Sequence, residues 1–404
     1  MRDVLGGVCA PKGFVAGGIR CGIKKSGTKN DLALLFCKVP CAAAAVYTKN
    51  KVFGAPITVT RRNLENGVAQ ALVCNSGNAN SCNSDGVYVA EEMCRMTAEA
   101  LHVKPTDVII GSTGVIGQPL PLDRVAEGIK NLAPNLTRDG AHDAQIAIMT
   151  TDLAPKETAI AFEIGGVTVT IGAMAKGSGM IRPNMATMLS FITTDCAITA
   201  PMLEKALRLT VDDTYNMVSV DGDTSTNDMV SVMASGLAGN APIDAEGADF
   251  DAFAKGLKVV AERIARMIAA DGEGATKLLE IAVSGAPDVA VARTVAKSVV
   301  MSSLFKAAMF GADANWGRIL CAIGYAEAEF DVAMIEVNLS SPAGRIQVCV
   351  EGSGVPFCEE QAKAVLMEKE IRVEIDMHQG AAEATAWGCD LTYDYVKING
   401  DYRT

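Results

Sequence analysis

Two hydrophobic periods alternate along the chain. Phe250, Phe253, Leu257, Val260, Ile264 and Met267 recur at steps of 3, 4, 3, 4 and 3, which places them on one face of a helix. Asp271-Gly272 follows, and the glycine stands where a helix C-cap is expected. Val89, Met93, Met96 and Ala100 form a second such face behind the turn Asp85-Gly86. Elsewhere the period is two. Thr158 to Ile164 and Val167 to Ile171 flank Gly165-Gly166, which predicts a β-hairpin. Val108-Ile109-Ile110 is β-branched throughout and predicts another strand, with Gly111 to Gly117 as a glycine-rich turn after it. Helices and strands mix along the whole length, so the pattern predicts an α/β or α+β fold. A soft boundary near residues 282–290, at Ala282-Val283-Ser284-Gly285-Ala286-Pro287, divides the chain into 1–284 and 285–404. No solenoid period repeats. One short echo, Met149-Thr150-Thr151-Asp152 against Ile192-Thr193-Thr194-Asp195, fits two related strands or chance.

Composition narrows the function classes. With 404 residues, 49% hydrophobic and 21% charged, the chain can bury a sizeable core, and disorder is excluded. A net charge of −11 argues against nucleic acid as a partner. No apolar run approaches the roughly 20 residues of a membrane span. Met1 to Gly7 carries an acid and two glycines where a secretory signal needs an apolar run, so no membrane association and a cytoplasmic location are expected. None of the 12 cysteines is spaced C-x-x-C, which reads as reduced, buried thiols and not as a zinc ribbon. The three histidines are scattered, and the phosphate-binding, dinucleotide-binding and G-x-S-x-G patterns do not occur. No metal and no cofactor are therefore expected.

The most informative segment runs from Lys176 to Asp195. Lys176-Gly177-Ser178-Gly179-Met180-Ile181-Arg182-Pro183 predicts an irregular loop, and an apolar strand begins near Thr187. A threonine at such a junction is either an ordinary strand cap or something more reactive. If the backbone before it is strained, its hydroxyl can attack the preceding carbonyl and shift the amide to an ester. Water then cuts the ester and leaves Thr187 as a new N-terminus. Its free amine, with a pKa of about 8, can serve as base for its own hydroxyl. One residue then supplies nucleophile and base, which suits a chain without a histidine motif. The residues alone leave both readings open.

The run Lys176 to Leu189 resembles the K-G-S/A-G-M-I-x-P-N-M-A-T-M-L motif of the ornithine acetyltransferases, the glutamate N-acetyltransferase family of arginine biosynthesis. Further stretches are similar to the family's in the same order: Asn75 to Asn80, Gly111 to Gly117, Asp313 to Arg318, and Asp394 to Thr404. The resemblance covers essentially the whole chain.

What it implies follows residue by residue. The fold is a layered α/β arrangement of the self-cleaving ornithine acetyltransferase and aminopeptidase type, with a smaller C-terminal α/β domain. Cleavage falls between Ala186 and Thr187, giving an α chain of 1–186 and a β chain of 187–404. Thr187 matches the nucleophile, and Thr113 with Gly114 the oxyanion hole. Thr150, Lys176, Thr187, Glu273, Asn399 and Thr404 match substrate-binding positions. Lys176 suits an α-carboxylate, Glu273 a side-chain ammonium, and the tail would return over the pocket. Arg182 and Arg318 sit in matching motifs, and structural ion pairing is the use expected of them. The implied reaction moves acetyl from N2-acetyl-L-ornithine to L-glutamate through an acetyl-threonine. Some members also accept acetyl-CoA as donor. Two α and two β chains assemble in the family. The alternative on the same scaffold is an N-terminal-nucleophile aminopeptidase or amidase, which would give the acyl group to water.

Overall fold

The computed structural model describes residues 1–24, 28–182 and 188–401. Two sheets carry the architecture. The larger has nine strands among the described residues. Across it run Arg2–Asp3, Lys156–Ile164, Val167–Lys176, Leu189–Thr194, Met229–Ala234, Leu32–Tyr47, Val68–Asn78 and Val108–Val115, with Phe14–Ile19 paired onto Leu32–Tyr47. The smaller runs Ser353–Gly354, Gly344–Val350, Glu336–Ser341, Glu370–Asp376, Leu278–Ala286, Ala382–Cys389 and Val218–Ser219. The division expected at 284/285 falls inside the strand Leu278–Ala286, and Val218–Ser219 joins this sheet from far upstream.

The predicted hairpin forms from Lys156–Ile164 and Val167–Lys176. Gly165 and Gly166 turn it with φ of +56° and +78°, values that side chains resist. Its alternation sorts side chains between two cores. Val169, Ile171, Ala173 and Ala175 join one cluster, whereas Met174 faces the other way into a second. Two parallel pairs in the large sheet need crossover helices. Gly86–Leu101 links Val68–Asn78 to Val108–Val115, and Ala200–Asp213 lies between Leu189–Thr194 and Met229–Ala234.

The predicted long helix spans Ala248–Ala270 and is buried between the sheets. Phe253, Leu257, Val260 and Ile264 share one cluster with Ile160 and Ile171 of the large sheet and Leu279 and Ile281 of the small one. Each such side chain contributes about 1.5–3 kcal/mol on burial. Gly256 sits mid-helix, at a cost of about 1 kcal/mol relative to alanine. A Cβ there would lie 2.4 Å from the Phe162 ring, so the glycine lets helix and strand approach.

Three sequence expectations change. Asp271, not glycine, caps the long helix, and Gly272 is not left-handed. A Cβ on Gly272 would come 2.6 Å from Cys389 Sγ, so close packing explains the glycine. The Thr-Thr-Asp echo is not a pair of strands: Ile192 to Thr194 are strand, but Met149 to Asp152 form a bend after the helix Ala141–Ile148. The strand predicted at Val108–Ile110 runs on to Val115 and absorbs most of the presumed turn, because it pairs in parallel along Ala71 to Asn78. Among the described residues no helix is long and apolar enough to cross a membrane. The twelve cysteines are free, and most are buried.

Candidate active site

Thr113 and Gly114 sit near the end of Val108–Val115. The neighbouring strand brings Gly77 against them: a Cβ on Gly114 would lie 2.4 Å from the Gly77 carbonyl carbon. Gly114 has φ of +130° and Gly77 φ of +94°. Only glycine at both positions allows this crossing. Below it the Asn75 to Asn80 stretch forms a buried amide ladder. Ser112 Oγ donates to Asn75 Oδ1 at 2.6 Å, and Asn75 Nδ2 donates to the Asn78 carbonyl at 2.8 Å. Asn78 Oδ1 accepts from the Asn80 amide at 2.8 Å, and Asn80 Nδ2 donates to the Gly86 carbonyl at 2.8 Å. Asn227 joins from the other side and donates to the Ala79 and Ser112 carbonyls at 2.5 and 2.9 Å. Such satisfied buried amides fix one backbone path.

Lys176 ends the strand Val167–Lys176 and is buried. Beside it lies a buried ion network absent from the sequence reading. Lys156 Nζ bonds Asp152 Oδ1 at 2.7 Å and Asp271 Oδ2 at 2.6 Å, and Asp152 and Lys156 are each 1% exposed. Asp152 also accepts from the amides of Gly177 at 2.7 Å and Thr150 at 3.0 Å. Burial alone would raise the Asp152 carboxyl. The charges of Lys176 and Lys156, with the Gly177 amide, outweigh burial and hold it at about 2. Asp152 thus stays ionised and fixes both Thr150 and the residue after Lys176.

Glu273 is stitched to the same loop. Its amide donates to the Ser178 carbonyl at 3.0 Å, and Ser178 Oγ donates to the Asp271 carbonyl at 2.7 Å. A Cβ on Gly179 would collide with the Glu273 carboxyl at 2.4 Å. Asn399 lies on the C-terminal helix Tyr393–Asp401 and donates to Glu273 Oε2 at 2.9 Å. Thr392 Oγ1, just before that helix, donates to the Gly274 carbonyl at 2.7 Å.

These segments meet in one cavity of about 130 Å³. Thr113, Gly114, Thr150, Lys176, Glu273 and Asn399 all line it, although they come from widely separated parts of the chain. Thr151, Met180, Ser225 and Asn227 also line it and were missed. Next to Ser225 to Asn227 stands Asp228, fully buried. Burial pushes its carboxyl well above the usual range, against the hydroxyls of Ser225 and Thr48 and the charge of Lys176. Ala186, Thr187 and Thr404 lie outside the described residues. Leu189, two residues after Thr187, pairs with Lys176 on one side and Met229 on the other.

A larger cavity, about 880 Å³, lies elsewhere, between the long helix and the small sheet. It is a groove of paired charges such as Arg266 with Glu280 and Arg372 with Glu280, and no candidate residue lines it. Arg318, expected in an ion pair, donates to the Leu304 carbonyl at 2.9 Å. Its motif is structural: Asn315 caps the helix Trp316–Gly324, and a Cβ on Gly354 would meet the Trp316 ring at 2.2 Å. Among the described residues no group of His, Cys, Asp and Glu could hold a metal ion.

The ArgJ family model matches residues 15–404. The arginine biosynthesis bifunctional protein ArgJ of Symbiobacterium thermophilum is 55% identical over 406 residues, covering all of both chains. That of Caldanaerobacter subterraneus is 50% identical, again over the full length of both. The crystal structure of arginine biosynthesis bifunctional protein ArgJ from Bacillus halodurans is 48% identical with a TM-score of 0.51, covering 54% of this chain and 100% of its own. With a family match across nearly every residue and relatives at half identity or above, the chain belongs to the ArgJ family.

Proposed function

We propose that the chain is an acetyltransferase of arginine biosynthesis that works through a self-generated N-terminal threonine. The observation that carries this reading is the single cavity shared by Thr113, Gly114, Thr150, Lys176, Glu273 and Asn399. Maturation comes first. Thr187 Oγ bonds to the Ala186 carbonyl carbon, the peptide C–N bond breaks, and the nitrogen takes the hydroxyl proton. Water then hydrolyses the ester, leaving an Ala186 carboxylate and a Thr187 bearing free hydroxyl and amine. The solved Bacillus halodurans chain supports such a cut by its length. Its 54% share of 404 residues is about 218, and a cut before Thr187 leaves 404 − 186 = 218 on the C-terminal side.

In transfer, the Thr187 hydroxyl attacks the acetyl carbonyl of N2-acetyl-L-ornithine while its own amine takes the proton. The Thr113 hydroxyl and the Gly114 amide hold the oxyanion on a strand packed closely against Gly77. The C–N bond to ornithine breaks, and the departing amine takes the proton back. L-glutamate then attacks the acetyl ester and regenerates Thr187. Lys176 receives the α-carboxylate, Thr150 flanks it, and Glu273 meets the ornithine ammonium. Asn399 orients Glu273, and Thr404 is assigned to substrate binding with them.

The bifunctional names of the relatives support acetyl-CoA as a second donor to glutamate. An assembly of two α and two β chains in the cytoplasm completes the proposal. The test is to incubate the enzyme with acetyl-ornithine, with and without glutamate. Ornithine release is expected to depend on glutamate, with ping-pong kinetics. Equal release without it would assign the site to hydrolysis instead.

A further inference from the structure

Upstream of the proposed cut, the backbone at Met180 to Arg182 is held in an unusual posture. Met180 has φ of +57°, a left-handed conformation that a methionine side chain disfavours. One carboxylate keeps it there. Asp221 Oδ2 accepts from the Met180 amide at 2.6 Å, and Asp221 Oδ1 accepts from the Ile181 amide at 2.8 Å. Both are charge-assisted bonds, from a residue 41 positions downstream in sequence. Neighbours of Asp221 complete the clamp. The Val220 amide donates to the Ile181 carbonyl at 2.8 Å, and Thr224 Oγ1 donates to the Arg182 carbonyl at 2.9 Å. Ile181 is 2% exposed and packs in the core, and buried Lys306 donates to the Val220 carbonyl from behind. Asp221 itself does not line the substrate cavity.

Resting on the self-cleavage reading above, we propose that Asp221 is a positioning residue for chain scission. By holding Met180 left-handed, with Ile181 and Arg182 clamped beside it, it sets the direction from which the chain sets out toward the proposed cut. Acyl transfer does not require it to touch substrate. Maturation requires the scissile carbonyl to meet its own downstream hydroxyl, a reaction that depends on backbone direction.

The experiment follows full-length protein made by cell-free synthesis and measures the half-time for the intact chain to become two fragments on denaturing gels. Asp221→Asn is expected to lengthen that half-time at least tenfold while the product still unfolds cooperatively. Met180→Gly added to Asp221→Asn is expected to restore much of the rate, because glycine takes positive φ freely. With Asp221 intact, Met180→Val is expected to slow maturation and Met180→Gly not to. A merely structural aspartate would show neither the rescue nor that order. Wild-type maturation of Asp221→Asn, or no acceleration by Met180→Gly in that background, overturns the proposal. Should Asp221→Asn not fold, Met180→Val maturing as fast as wild type overturns it. Thr187→Ala that still splits would overturn the underlying self-cleavage reading instead, whatever Asp221 does.

Discussion

Thr113 and Asn399 line one cavity on very different supports. Thr113 lies in a paired strand of the large sheet, over an amide ladder and a glycine crossing that leaves no room for a single methyl. Thr150 and Gly177, the residue after Lys176, are fixed through the buried Lys156–Asp152–Asp271 network. Asn399 rides on an exposed helix near the chain end, held by bonds to Glu273 and by Thr392 on Gly274. The contrast matches the chemistry assigned to each side. Charge that develops in a transition state needs donors that do not reorganise. Recognition of a flexible amino-acid side chain tolerates a support that moves.

The largest effect should come from the sheet side. In Asp152→Asn the carboxylate that holds Lys156 and two amides is gone, and breaking a buried pair typically costs about 3–5 kcal/mol. Lys156 keeps Asp271, so the lower end of that range is expected. Urea unfolding would check it, and a midpoint matching the wild type would erase the difference between the two sides. Next, Thr113→Ala should lower kcat by about 10²–10³ with little change in KM, the loss expected for one oxyanion donor. Steady-state kinetics that moved KM instead would place Thr113 among the recognition residues.

Acid sharpens the same comparison. The Asp152 carboxyl sits at about 2, below its unfolded value of about 3.9. A carboxylate lowered in this way stabilises the fold fully above about pH 4–5, and the contribution fades as pH falls toward and through about 2. The amount at stake is about 2–3 kcal/mol. Unfolding free energies of wild type and Asp152→Asn, compared from pH 6 down to 2.5, should converge in acid. A gap that stayed constant over that range would show that the charge of Asp152 is not what stabilises.

Much of this was readable from residues, and what was not has physical causes. Strands 156–164 and 167–176 and the helix 248–270 announce themselves because their periods are clean and local. Thr113, Gly114, Lys176, Glu273 and Asn399 were legible through motif resemblance alone. No local rule tells a loop glutamate that meets an asparagine 126 residues away from one that meets water. Asp152, Lys156 and Asp271 escaped because their meaning is three-dimensional: two come from a bend and the strand after it, and the third caps a helix. The Thr-Thr-Asp echo, open between related strands and chance, touched this spot without its meaning: Asp152 folds back onto Thr150 and Gly177. Gly272 misled in a similar way, since a glycine required by Cys389 packing looks like a helix cap in one dimension.

The smallest effect belongs to the tail. Asn399→Ala removes one exposed hydrogen bond to Glu273, worth about 0.5–1.5 kcal/mol. KM for the ornithine-containing donor should rise by a few-fold to about tenfold, because Glu273 loses its orientation while its charge remains. kcat should hold, since the oxyanion strand is untouched, and the urea midpoint should stay within error of the wild type. Glutamate as acceptor carries no side-chain ammonium, so its KM should move less than that of the donor. A drop in kcat comparable to that of Thr113→Ala would mean that the tail helix acts on the reacting carbonyl itself, and the two sides of the cavity would then share one task.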